Sequence, residues 1–184
     1  LNKEPSSRNF QVIGIGIDPG SKREGYTVAT ENKIVLNIQT DTPNWVKEKV
    51  ETRKILRRSR RQRKTPFRKC RFNRAIGGIS PTTKPRWQAK IRVINLLRKI
   101  LPITDIMIED IKAKTWKGSK KWNKSFSPLE VGKKWFEEQV RNLGLNFYTC
   151  SGFETFEHRN SRGFKKLASK LSWNWEAHCV DSHC

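Results

Sequence analysis

The sequence predicts an α/β protein: a mixed sheet with an antiparallel meander at one edge and helices laid against it. Three observations carry this. An apolar run with period-two alternation, FQVIGIGID over residues 10–18, stands near the start. Two more strand patterns follow it across short polar turns. From residue 86 onward, amphipathic helical patterns alternate with short apolar strands.

In residues 10–18 the isoleucines Ile13, Ile15 and Ile17 fall on one face, and Val12, Gly14, Gly16 and Asp18 on the other. Two glycines on the same face as an acid leave bare backbone there, which permits close approach by another element or a ligand. Strands are expected at residues 25–30 and 34–39, joined by the turn Glu31-Asn32-Lys33. Residues 45–63 read as a helix that starts near Thr42 or Asn44 and ends or kinks at Pro66. Residues 53–74 hold 12 Lys or Arg and no acid, so this helix lacks an apolar stripe over that length. Such an element repels itself when isolated and is stabilised when it is threaded along phosphates.

A Gly/Pro/Thr-rich linker, 77–85, precedes an amphipathic helix over 86–101, with Trp87, Ile91, Ile94, Leu97 and Leu101 at helical spacing and Pro102 as its end. DIMIEDI, 105–111, reads as a strand with Met107 and Glu109 on one face. Residues 112–126 form a basic loop in which Trp116, Trp122 and Phe126 are interleaved, placed to stack on bases or to pack locally. Ser127-Pro128-Leu129-Glu130 predicts an N-cap, an early proline and a capping-box acid for a helix running to Asn142, with Gly144 as its stop. A strand at 145–150 and a last helix from Trp173 to the end complete the order.

Composition narrows the function. The chain has 184 residues, with 39 Lys and Arg against 17 Asp and Glu, a formal charge of +22. A compact domain gains nothing from that self-repulsion, so a polyanionic partner is implied. Seven Trp and nine Phe argue against a disordered basic tail. No apolar stretch approaches the roughly 20 residues a membrane span needs, and LNKEPSSRNF has no signal-peptide core. Cys70, Cys150, Cys179 and Cys184 form no Cys-x-x-Cys pair and no disulfide framework, which favours a reducing cytoplasmic setting. The abrupt ends, Leu1 and HCVDSHC, predict a piece of a longer protein.

Three acids stand out by position: Asp18 at a strand end, Glu109 within DIMIEDI, and Asp181 in WEAHCVDSHC. Inward-facing carboxylates are costly unless a cation holds them. Arg or Lys could do so in a salt bridge. Mg²⁺ could as well, since a pair of such ions takes oxygen ligands and can activate water on a phosphodiester.

At these residues the sequence resembles the RRXRR proteins and the IscB/IsrB group, transposon-associated relatives of the CRISPR single-effector nucleases. IGIDPGSKREG resembles their first RuvC motif, IMIED the second and HCVDS the third. RKILRRSRRQRKTPFRKCRFNR resembles their arginine-rich bridge helix, and its RRSRR fits the Arg-Arg-x-Arg-Arg pattern from which one domain family takes its name. The resemblance implies a single RuvC-like domain over 1–184. Its first RuvC segment would be 10–40, the bridge helix 45–76, the second segment 86–150 and the third 173–184.

The implied fold is RNase H-like, with the arginine-rich helix inserted. The implied activity is metal-dependent DNA endonuclease chemistry guided by RNA. Asp18, Glu109 and Asp181 would be ligands of two Mg²⁺ ions, with Mn²⁺ as an alternative, and His178 would be the base for the attacking water. His178 and Asp181, at i and i+3, would share a helix face. Arg57, Arg58, Arg60 and Arg61 match the positions that contact guide RNA and heteroduplex phosphates in the family, and Arg53, Arg63, Arg68 and Arg71 are assigned with them. Only 68 residues lie between Glu109 and His178, holding one His (His158) and one Cys (Cys150), so no HNH nuclease domain fits. The chain therefore resembles IsrB, the HNH-less form, which implies that one DNA strand is nicked.

Rival patterns are weaker. His178, Cys179, His183 and Cys184 are crowded enough to suggest zinc, but a structural site wants ligands from two separated segments. Asp18-Pro19-Gly20 also occurs in actin-like and sugar-kinase ATPases, yet no second Gly-rich phosphate loop follows. Gly14-x-Gly16 lies inside a strand and opens no helix, which excludes a dinucleotide fingerprint. The competing reading is a non-catalytic RNA-binding module whose acids are structural.

Overall fold

The computed structural model describes residues 11–63, 78–114, 118, 121–124, 126–165 and 174–184. Its centre is a five-stranded sheet in the order β3-β2-β1-β4-β5, built from β1 (Gly14–Asp18), β2 (Arg23–Ala29), β3 (Ile34–Asp41), β4 (Asp105–Glu109) and β5 (Asn146–Cys150). The first three strands form the antiparallel meander, while β4 runs parallel to β1 and β5 parallel to β4. Three meander strands followed by two parallel strands on the other side of β1 is the RNase H-like layout, as expected.

The two sheet faces are unlike because side chains alternate along each strand. On one face Ile15, Ile17, Tyr26, Val28, Ile106, Ile108 and Phe147 meet α2 (Lys84–Arg98) and α4 (Lys133–Asn142), through Trp87, Ile94, Leu97, Phe136 and Val140. This is the main apolar core. Within it lies a buried ion pair: Lys90 Nζ of α2 sits 2.5 Å from Glu24 Oε1, and Tyr26 donates a 2.8 Å hydrogen bond to Glu24 Oε2. Burial, then the Glu24 charge, pushes the Tyr26 phenol well above its usual pKa.

The other face of the meander is covered by the last helix, α6 (Glu176–His183). Gly16 and Gly25 make this packing possible: a Cβ on Gly16 would lie 1.8 Å from the Ser182 carbonyl oxygen, and one on Gly25 2.5 Å from that of His178. The bare backbone beside Asp18 therefore accommodates a helix of the protein itself. Thr27 fastens the contact, with its hydroxyl 2.7 Å from that of Ser182 and 3.1 Å from the Cys179 carbonyl.

Several boundaries differ from expectation. The arginine-rich helix, α1 (Val46–Gln62), begins at Trp45 with no side-chain cap, not at Thr42 or Asn44. Thr42 instead donates its hydroxyl to the Ser21 carbonyl, tying the end of β3 to the β1–β2 turn. The helix expected over 127–142 is two helices, α3 (Ser127–Glu130) and α4, broken at Gly132, whose φ of +97° no ordinary residue adopts readily. Glu130 does not close a capping box. Its Oε2 accepts the Ala113 backbone N–H at 2.5 Å, so it anchors the basic loop to α3. An additional helix, α5 (Gly152–Ser161), follows β5 directly, where no helix was anticipated.

Candidate active site and nucleic-acid interface

Asp18 and Glu109 directly follow Ile17 and Ile108, the last paired residues of the neighbouring parallel strands β1 and β4. By strand alternation both carboxylates project from the face that α6 partly covers. Asp18 is fully buried beneath α6, whereas Glu109 is half-buried. Glu109 Oε1 faces the first residue of α5, where a Cβ on Gly152 would stand 3.1 Å from it.

From α6, His178 faces Asp18, its Nδ1 3.9 Å from Asp18 Oδ2. That is a contact and not a hydrogen bond. The ring is 1% exposed, and neither of its nitrogens has a hydrogen-bond partner among the described residues. A buried imidazole with no protein partner at either nitrogen is unusual. Asp181, one turn later, addresses another element. Arg159 of α5 lies 2.6 Å from Asp181 Oδ1, and both side chains are largely buried. His178 and Asp181 thus lie on the covered side of α6 but meet different partners.

The donor types suit a hard divalent ion, since carboxylates are its preferred ligands. The arrangement does not. Among the described residues no three His, Cys, Asp or Glu side chains stand close enough together to hold a metal. Asp18 and Glu109 are neighbours across the sheet, and Asp181 is engaged by Arg159. The same finding covers His178, Cys179, His183 and Cys184, which form no zinc site. Burial pushes the Cys179 and Cys184 thiols up.

Asp110, next to Glu109, belongs to a separate cluster with Lys133 and Lys112. Burial alone would raise its pKa, but hydrogen bonding and charge from the two lysines hold it below the usual carboxylate value.

The second candidate surface is α1. After Val46 every residue through Arg63 is exposed. Arg53, Arg57, Arg58, Arg60 and Arg61 lie on the helix and Arg63 is its C-cap residue; Arg68 and Arg71 lie outside the described residues. Seventeen residues at a 1.5 Å rise make a basic rod about 25 Å long. Its lack of a core-facing stripe follows from the arginines at 57, 58, 60 and 61, which leave no apolar side to bury. Of the interleaved aromatics, Trp122 is exposed, Phe126 is half-buried and Trp116 lies outside the described residues.

Sequence reasoning missed Arg159 and the helix that carries it. The signal was present: Ser151 and Glu154 form a capping box, the Ser151 hydroxyl accepting from the Glu154 N–H and the Glu154 carboxylate from the Ser151 N–H. The Lys90–Glu24 pair was missed too, because a lysine on an otherwise apolar helix face gives no local sign of its distant partner.

No curated protein matches the sequence. Among solved structures, RuvC of T. thermophilus in complex with Holliday junction substrate aligns at TM-score 0.46 and 12% identity, over 93% of this chain and 87% of that one. A Ppx/GppA family member of Aquifex aeolicus aligns at 0.38 and 14%, over 78% and 36%. A CRISPR-Cas12f ternary complex aligns at 0.36 and 16%, over 98% and 40%. The fold assignment rests on the strand order and not on these distant likenesses. The RRXRR protein model matches residues 1–122, well over half of the sequence and inclusive of the RRSRR run on α1, and the chain belongs to the RRXRR family.

Proposed function

We propose that the chain is a RuvC-like endonuclease domain that works on nucleic acid held along α1, with guide RNA and target DNA as partners and one DNA strand as substrate. The observation that carries this is Asp18. An RNase H-like sheet buries it completely at the end of its central strand, against a histidine with both ring nitrogens unsatisfied.

In this reading Mg²⁺ or Mn²⁺ is the cofactor. Among the described residues the three acids do not come together as a metal site. What the chain's own residues supply is limited and definite. Asp18 and Glu109 set negative charge at the ends of two adjacent strands, and His178 offers a proton-accepting nitrogen beside Asp18. The α1 arginines hold the polyanion through its phosphates. His178 is buried by α6 packing, so substrate engagement must open this side of the sheet before the ring can meet water.

A non-catalytic nucleic-acid-binding module is the second reading, and the Asp181–Arg159 pair favours it, since it occupies one of the three acids structurally. The test is Asp18→Ala in the full chain, purified with the RNA that accompanies it. For the nuclease, Mg²⁺-dependent nicking of a DNA duplex is lost while RNA binding stays within about twofold. For the binding module the wild type does not nick, and Asp18→Ala changes nothing but stability.

A further inference from the structure

A cleft of about 230 Å³ opens at the foot of the arginine-rich helix, where the start of α1 meets the start of α2. Lys47, the second residue of α1, and Arg86, in the first turn of α2, line it together with Thr82 and Thr83. Pro43 and Pro128 wall it, and no acid lines it. Among the described residues neither Lys47 nor Arg86 has a carboxylate within ion-pair distance. The acid whose charge reaches Arg86 is Glu24, which Lys90 and Tyr26 already hold. Two cations lining one acid-free cleft repel each other, and an anion between them removes that cost.

The donors are side chains held in place by their neighbours. Arg86 Nη1 donates to the Ser21 carbonyl at 2.8 Å, which uses one of the five N–H groups of a guanidinium. Ser80 Oγ donates to Thr83 Oγ1 at 2.8 Å and stands 3.0 Å from Thr82 Oγ1. Thr83 is 6% exposed, so a buried hydroxyl accepts from Ser80 and keeps its own proton to give. The backbone of α2 is not the donor. The Thr83 and Lys84 N–H groups go to the Ser80 carbonyl, Pro85 has none, and the Arg86 N–H goes to the Thr83 carbonyl.

We propose that this cleft is a phosphate subsite, in which Arg86, Lys47 and Thr83 hold one backbone phosphate of a nucleic-acid strand that continues along α1. The guanidinium fork suits two phosphate oxygens, and the ammonium and hydroxyl suit the others. The proposal rests on the reading of α1 as the helix that holds nucleic acid, and it is the same for a nuclease and for a binding module. What it adds is register. Thr42 donates to the same Ser21 carbonyl at 2.9 Å, and Ser21 lies three residues after Asp18. A phosphate on Arg86 is thereby tied to the turn that follows β1. No bond is made or broken in this step.

The test is binding of a fluorescein-labelled oligouridylate to the full chain, followed by fluorescence anisotropy across a salt series. Arg86→Gln is expected to weaken binding about tenfold, and Thr83→Val, which changes no charge, about threefold with the salt slope kept. Because both cations act on one phosphate, Lys47→Gln combined with Arg86→Gln should lower the slope of log K against log salt by about 0.7. Two unrelated surface cations would lower it by about 1.4. Should Arg86→Gln fail to fold, the wild type still gives a readout: its Arg86 Nε–H resonance should shift on adding oligouridylate. Inorganic phosphate alone separates a free ion from a backbone phosphate, and should shift that resonance weakly and be displaced by oligouridylate.

A slope lowered by about 1.4, a Thr83→Val variant that binds like wild type, or inorganic phosphate that oligouridylate does not displace overturns the subsite. Replacing the α1 arginines still weakens binding in that case, and the reading of α1 stands. Absence of any salt-dependent oligouridylate binding by the wild type overturns both.

Discussion

Gly16→Ala isolates the packing on which the candidate site depends. The added Cβ would lie 1.8 Å from the Ser182 carbonyl oxygen, a backbone atom that no rotamer change can move. Restoring an ordinary contact means displacing α6 by about 1.5 Å, an overpacking that costs about 1–3 kcal/mol. The shift also strains the hydrogen bonds of Thr27 to Ser182 and to the Cys179 carbonyl, at about 1 kcal/mol each. A total of about 3–5 kcal/mol lowers the melting temperature by roughly 6–20 °C for a domain of this size.

Gly14→Ala is the matched control. It lies on the same strand and face, but its nearest neighbours stand 3.9 Å away, so its melting temperature should move by no more than about 2 °C. Thermal unfolding of the two variants by circular dichroism is the assay. Equal melting temperatures would refute the claim that bare backbone at Gly16 seats α6, and with it the placing of His178 over Asp18.

Lys90→Met leaves Glu24 buried without its cation and should destabilise by about 3–5 kcal/mol in urea unfolding; adding Glu24→Gln should recover most of the loss. Replacing Arg57, Arg58, Arg60 and Arg61 together by Gln should weaken RNA binding and make the slope of log K against log salt shallower by about 3, as read in a filter-binding series. For Asp110 the folded pKa lies below 3.8, so its pair with Lys133 stabilises the protein above that value. That contribution is lost as pH falls from 3.8 through the lower folded pKa. Lys133→Met should flatten the acid limb of a stability–pH profile in that window.

The sheet was legible because its strands obey a period of two and their ends are marked by turn residues. The side of β1 that needs bare backbone could be read from Gly14 and Gly16, though not which element would approach. That the approaching group is α6 depends on residues more than 150 positions away, which no local pattern encodes. The split between α3 and α4 was hidden because Gly132 sits where a helix tolerates one glycine, and only its contact with Trp87 shows why the chain turns there.

The candidate acids were located by position along their elements. Asp18 and Glu109 fall side by side because parallel pairing aligns Ile17 with Ile108. Asp181 is a different matter: its carboxylate is claimed by an arginine on α5, the one helix the sequence analysis passed over. Arginines are common in this chain, so nothing marked Arg159 out in advance.

The most direct measurement is anomalous scattering from Mn²⁺ in crystals of the full chain bound to RNA and DNA, with hydrolysis blocked by a phosphorothioate at the cleaved bond. The account predicts metal density touching Asp18, Glu109 and Asp181. Metal density absent from Asp18 in the complex would contradict it.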